Sequence, residues 1–197
     1  MNQHSPDVIV SAIRASIETK ERLLAEQLEQ IKTAGMLLAD CADRNSLIML
    51  CGNGGSAADS QHIAAELVVR LRSSVDRRAI KALALTTDSS VLTAGGNDFG
   101  YDRVFSRQIE AFGGSGDVLI AISTSGTSKN VVLAVEEARR RGVLTIGLLG
   151  GTGGVLSELC DHSVVVPSPV TARIQECHIL IGHVWCEMVE ERVTSDE

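Results

Sequence analysis

Apolar residues at Ile9, Ile13, Ile17, Leu24, Leu28 and Ile31 recur at spacings of three, four and seven, with Glu, Lys and Gln between them. That rhythm predicts one long helix before any strand, with Ser5-Pro6-Asp7 as its cap and first turn. After Asp40 the pattern changes to short apolar runs at Leu47–Cys51, Ile80–Leu85, Val118–Ile122, Val143–Leu149 and Ser163–Val166. Helical patterns separate them at Ala57–Arg70, Val104–Ala111 and Asn130–Arg141, and Thr171 to Arg192 closes the chain. Continuous apolar runs are strands buried on both faces, and their alternation with helices predicts a parallel sheet. The reading is one α/β domain over 1–197: a helical extension at 1–44 and a core at 45–197. The lead helix needs an apolar partner surface, either its own domain or another subunit; a homo-oligomer is the favoured expectation.

Composition narrows the function. Aromatic residues make up 3% of the 197, too few for stacking platforms, and a net charge of −7 opposes a phosphate backbone. Nucleic acid is therefore not expected as a ligand. The five cysteines, Cys41, Cys51, Cys160, Cys177 and Cys186, are odd in number and form no C-x-x-C pair. They read as small buried hydrophobes of a reducing compartment, and with no signal peptide or membrane span the expected location is the cytoplasm.

Two loops follow strands in a manner that suggests a site. Cys51-Gly52-Asn53-Gly54-Gly55-Ser56 leads from an apolar run into a helix, where glycines permit close backbone approach and the helix N-terminus favours an anion. Neither the P-loop nor the dinucleotide spacing is met, so an ordinary turn stays open. Ser123-Thr124-Ser125-Gly126-Thr127-Ser128 places five hydroxyls ahead of the next helix. A phosphate site is the better reading of that loop, against a polar loop with a serine cap.

Candidates for chemistry lie on helices. His62 and Glu66 share a face at i, i+4, as a metal-binding or catalytic pair or as a solvated one. Gln175, Glu176, His178 and His183 occupy the last helix. Gln175 and His183 stand roughly 80° apart around its axis and reach one cleft only along the edge between them. His178 could as well be a hydrogen-bonded interface residue. Asn97-Asp98 follows Gly95-Gly96, a predicted turn that suits polyol hydroxyls or turn chemistry alone.

Together these segments resemble the sugar isomerase (SIS) family, and within it the phosphoheptose isomerases. The matching pieces are CGNGGSAADSQHIAAEL at Cys51–Leu67, LTAGGNDFGYDRVFSRQ at Leu92–Gln108, GDVLIAISTSGTSKNV at Gly116–Val131 and RIQECHILIGH at Arg173–His183. The resemblance implies a three-layer fold with a five-stranded parallel sheet flanked by helices, and a homotetramer joined through the long helices. The activity it implies interconverts sedoheptulose 7-phosphate and D-glycero-D-manno-heptose 7-phosphate, the first step toward bacterial heptose precursors for lipopolysaccharide or glycoproteins. It implies one zinc ion per subunit on His62, Glu66, Gln175 and His183, with Glu66 and His183 also moving protons through an enediol. Substrate contacts fall on Asn53, Gly54, Gly55, Ser56, Glu66, Asn97, Asp98, Ser123, Thr124, Ser125, Ser128 and Gln175. Relatives commonly read T-G-x-x-G-G after the fourth strand; here the loop is Leu149-Gly150-Gly151-Thr152-Gly153-Gly154, without the hydroxyl. The alternative is a non-catalytic protein of the same fold that binds the replication initiator or senses a sugar phosphate. Glu66, which such relatives lose, favours the enzyme.

Overall fold

The structure is a computed structural model that describes residues 5–195. In chain order the elements are α1 (Ser5–Asp43), β1 (Ile48–Cys51), α2 (Gly55–Val68), β2 (Ala82–Ala84) and α3 (Ser89–Phe99). After a 3-10 turn at Tyr101–Arg103 come α4 (Val104–Phe112), β3 (Val118–Ser123), α5 (Lys129–Arg140) and β4 (Leu144–Gly150). The last are α6 (Leu156–Leu159), β5 (His162–Val166) and α7 (Thr171–Ser195). All five strands are parallel, in the order β2-β1-β3-β4-β5.

Alternation along each strand divides the interior into two cores. Ile48 and Leu50 of β1 join Ile120, Ile146 and Val164 beneath α1, α2 and α7. Their neighbours Met49 and Cys51 join Leu119, Ala121 and Leu149 beneath α4, α5 and α6. This is the expected three-layer arrangement, and it explains why the strands read as unbroken apolar runs. All five cysteines are buried and free. Among the described residues no helix is long and apolar enough to cross a membrane.

The C-terminal half of α1 belongs to the first core: Leu38, Ala39 and Ala42 are buried, and the Trp185 indole of α7 donates to the Ile31 carbonyl at 2.9 Å. Its N-terminal half differs. Ile9, Ile13, Ile17, Leu24 and Leu28 are each more than half exposed. From Ile9 to Leu28 the apolar stripe read from the sequence therefore stays open among the described residues, and only Ile31 packs on the first core; the helix docks mainly through the adjoining face of Leu23, Ala34 and Leu38.

One element departs from expectation. The predicted turn at Gly95–Asp98 is the final part of α3, a surface helix with no buried residue, started by Asp88, whose carboxylate accepts from the Val91 N–H at 2.9 Å. The glycine pair lowers helix propensity there without ending the helix.

Candidate active site

Chain order runs from β1 outward to β2, then returns to β3 on the other side of β1. That reversal leaves a crevice beyond the carboxyl ends of β1 and β3, where open parallel sheets bind ligands. Both unusual loops stand at its mouth. A reciprocal amide pair ties them together: Asn53 Nδ2 donates to Asn130 Oδ1 at 2.9 Å, and Asn130 Nδ2 donates to Asn53 Oδ1 at 2.8 Å. The Tyr101 hydroxyl adds a third bond to Asn53 Oδ1 at 3.1 Å.

The hydroxyl-rich loop is internally braced. Buried Ser123 shares a hydrogen bond with Ser128 at 3.1 Å and accepts from the Gly126 N–H at 3.1 Å. Ser125 accepts from the Thr127 N–H and hydroxyl. Ser128 caps α5 by position without a side-chain cap bond. The unbonded N–H groups of the first turn of α5 and the positive end of its dipole therefore face the loop. Lys129, at the start of the helix, pairs with Asp102 at 2.5 Å.

The protein brings the two helices of candidate chemistry side by side. α2 and α7 run parallel, with Gln175 against Gly55 at one end and Gly182 against Ile63 further along. A Cβ at Gly55 would lie 2.2 Å from Gln175 Nε2, and one at Gly182 would lie 2.5 Å from Ile63 Cδ1, so both glycines permit the close approach. The same register puts His183 beside His62. Their Nε2 atoms are 2.8 Å apart with rings tilted by 59°, and His62 Nε2 is 3.5 Å from Glu66 Oε1. Glu66 and His183 thus meet through His62 within one subunit. The 80° between Gln175 and His183 is accommodated because each touches a different turn of α2.

Asn97 and Asp98 bond to each other at 2.8 Å and are exposed on α3, the helix that leads to Tyr101 and its bond with Asn53. His178 is wholly buried, and its Nε2–H donates to the Leu149 carbonyl oxygen, 3.0 Å away. Leu149 itself fills the second core, where a hydroxyl would have needed a partner. Sequence reasoning missed Asn130 and Tyr101. The signal for Asn130 was an amide in the first turn of the helix after the hydroxyl loop; nothing comparable marked Tyr101.

Two imidazoles and a carboxylate meet here as donors that suit zinc by their chemistry, while the Gln175 amide lies two turns of α2 away, against Gly55. The close approach of His62 to both His183 and Glu66 fits a shared cation. Among the described residues no group of three or more His, Cys, Asp or Glu is arranged as a metal centre.

Burial pushes the His178 imidazole down to about 4 from 6.5, outweighing its bond to Leu149. The unfolded chain therefore takes up this proton before the folded one. The contribution to stability is complete above pH 6.5 and is lost as pH falls toward 4, amounting to about 3 kcal/mol. Thermal midpoints measured from pH 7 to pH 4.5 are expected to fall, and His178→Gln, which keeps a donor toward Leu149, is expected to flatten that slope.

The SIS domain family model matches residues 13–150, which include β1 to β4 and both loops. A phosphoheptose isomerase of Leptospira biflexa is 50% identical over 186 residues, 94% of this chain and 95% of its own. One from a Nitratiruptor species is 53% identical over 88% of this chain and 92% of its own. The chain belongs to the SIS domain family, among the phosphoheptose isomerases. Solved structures agree with the fold of this SIS protein. The phosphoheptose isomerase of Neisseria gonorrhoeae superposes with a TM-score of 0.89 at 42% identity, covering 94% of this chain and 98% of that one. That of Francisella tularensis gives 0.91 at 34% identity, covering 97% and 100%.

Proposed function

We infer that this SIS protein interconverts sedoheptulose 7-phosphate and D-glycero-D-manno-heptose 7-phosphate, with Glu66 and His183 moving the protons. The observation that carries the reading is the convergence of Glu66, His62 and His183 on paired helices, the first of which starts in the glycine-rich loop. The relatives named as phosphoheptose isomerases support a phosphorylated heptose as the substrate.

Aldose–ketose isomerisation removes a proton from one carbon, returns it to the neighbouring carbon, and moves another between the two oxygens. In this mechanism the Glu66 carboxylate takes the carbon-bound proton and gives it back. The His183 imidazole donates to and accepts from the oxygens, through an enediol. Ser125, Thr124, Ser128 and the first-turn N–H groups of α5 hold the phosphate, with Ser123 bracing them from beneath. That remote anchor orients the reacting carbons. Asn53, Gly54, Gly55 and Ser56 approach the sugar from the other loop, and Asn97 and Asp98 reach its hydroxyls from α3. His62, Glu66, Gln175 and His183 would hold one zinc ion, which when bound polarises the substrate oxygens. A coupled assay for aldoheptose phosphate, run with and without a chelator, tests this reading. Turnover that the chelator reduces is expected; binding of the ketose phosphate without turnover under either condition would overturn it.

The exposed stripe on α1 supports a homotetramer in which the long helices pack on those of other copies. Leu24→Glu with Leu28→Lys is expected to shift the mass seen by light scattering from tetramer to smaller species. An unchanged mass would remove the stripe from the interface. Free buried cysteines and a phosphorylated sugar substrate support a cytoplasmic location.

A further inference from the structure

The loop after α2 carries Arg70, Arg72, Arg77 and Arg78. Arg77 turns inward. Its side chain is fully buried, with Nη2 donating to the Glu66 carbonyl at 2.8 Å and Nη1 to the Leu67 carbonyl at 2.9 Å. It therefore closes the C-terminal end of α2, and one of the two carbonyls it holds belongs to Glu66.

Arg77 Nε also donates to Glu190 Oε1 at 3.2 Å. Glu190 is equally buried; the Leu71 N–H donates to Oε1 at 2.8 Å and Arg72 Nε to Oε2 at 3.0 Å. Glu190 lies seven residues after His183 on α7, two turns along and on nearly the same face. Burial by itself would raise the Glu190 carboxyl, but the bonds from Arg72 and the Leu71 N–H and the charge of Arg77 leave it below the usual carboxylate range.

We propose that Arg77 and Glu190 form a positioning clamp that sets the spacing between the helix of Glu66 and the helix of His183. This rests on the proton-transfer roles given above. Close approach at Gly182 fixes the pair near its middle, and the clamp fixes the end. A buried ion pair exchanged for apolar residues of similar volume is often neutral for stability. Here the exchange also strands the Glu66 and Leu67 carbonyls and the Leu71 N–H, so kcat and the histidine signals, rather than the thermal midpoint, report positioning.

The test compares the wild type with Glu190→Gln, Arg77→Lys, Arg72→Gln and the double variant Arg77→Met with Glu190→Leu. Each is measured for kcat, KM, thermal midpoint and the imidazole 15N signals of His62 and His183. The expected result is a ten- to hundredfold lower kcat in the first two, with KM changed less than threefold because the phosphate loop is remote. Arg72→Gln, at a partly exposed position that loses one of the bonds, is expected to lose about threefold. The double variant is expected to have a thermal midpoint below that of the wild type and a kcat no higher than that of the single variants, with shifted His62 and His183 signals. Wild-type kcat in any folded Arg77 or Glu190 variant, recovery of kcat together with the midpoint, or a loss carried by KM overturns the clamp. If the buried-site variants do not fold, Arg72→Gln decides: unchanged kcat and unmoved imidazole signals overturn it. A wild type that binds the ketose phosphate and never turns it over instead removes the isomerase reading, and the clamp falls with it.

Discussion

Glu66→Gln is expected to bind sedoheptulose 7-phosphate within a few-fold of the wild type and to lose turnover by about 10²–10⁴. The amide keeps the shape of the carboxylate, and the Glu66 side chain is only 21% exposed, so the surrounding packing has no reason to change. What disappears is the base. Its neighbour His62 lies 3.5 Å away and also faces His183, so the contact network around the reacting carbons persists. Calorimetry with the ketose phosphate reports binding, and the aldoheptose assay reports turnover. Zinc content measured in parallel separates loss of the base from loss of a ligand. Near wild-type turnover would take Glu66 out of its role.

The second large effect is expected at Gly126, in the hydroxyl-rich loop. Its φ is +67°, and a Cβ there would lie 1.9 Å from the Gly153 carbonyl oxygen, with backbone rather than a flexible side chain in the way. Leu156 N–H donates to the Gly126 carbonyl at 3.1 Å, so the loops after β3 and β4 are held as one unit. Gly126→Ala must pry them apart. The expected cost is about 2–4 kcal/mol of stability, the left-handed backbone strain plus the crowding, with KM for the sugar phosphate raised at least tenfold. Gly151→Ala is the control. Its φ is +62° but its added Cβ meets nothing within 4 Å, so it bears the strain alone, about 1 kcal/mol. Melting curves and KM values for the two variants check this. Equal losses would show that the loop-to-loop contact does not matter.

The sheet was legible because its strands are buried on both faces, which leaves uninterrupted apolar runs such as Val118–Ile122. The two loops were legible because their residue types are unusual at strand ends. α3 was not: its glycine pair signals a turn, and it buries nothing that would show a helical period. The pairing of α2 with α7 was not either, because spacing along α7 separates Gln175 from His183 while the parallel neighbour helix lets both be used. Arg77 and Glu190 escaped for a related reason. A charge looks solvated in sequence until a helix end and an opposite charge, 113 residues away, close around it. Nor does a periodic stripe on α1 reveal which surface covers it, since the face that docks is the adjoining one.

Isomerisation in heavy water, followed by proton NMR of the sugar-phosphate pool over many turnovers, asks most directly whether Glu66 and His183 work by proton transfer. One of the two hydrogens at C1 of the ketose and the hydrogen at C2 of the aldose should wash out as the two sugars reach equilibrium, and Glu66→Gln should leave them in place. Equilibrium reached with those hydrogens fully retained would mean that hydrogen passes between the carbons as hydride, and the roles given to both residues would be wrong.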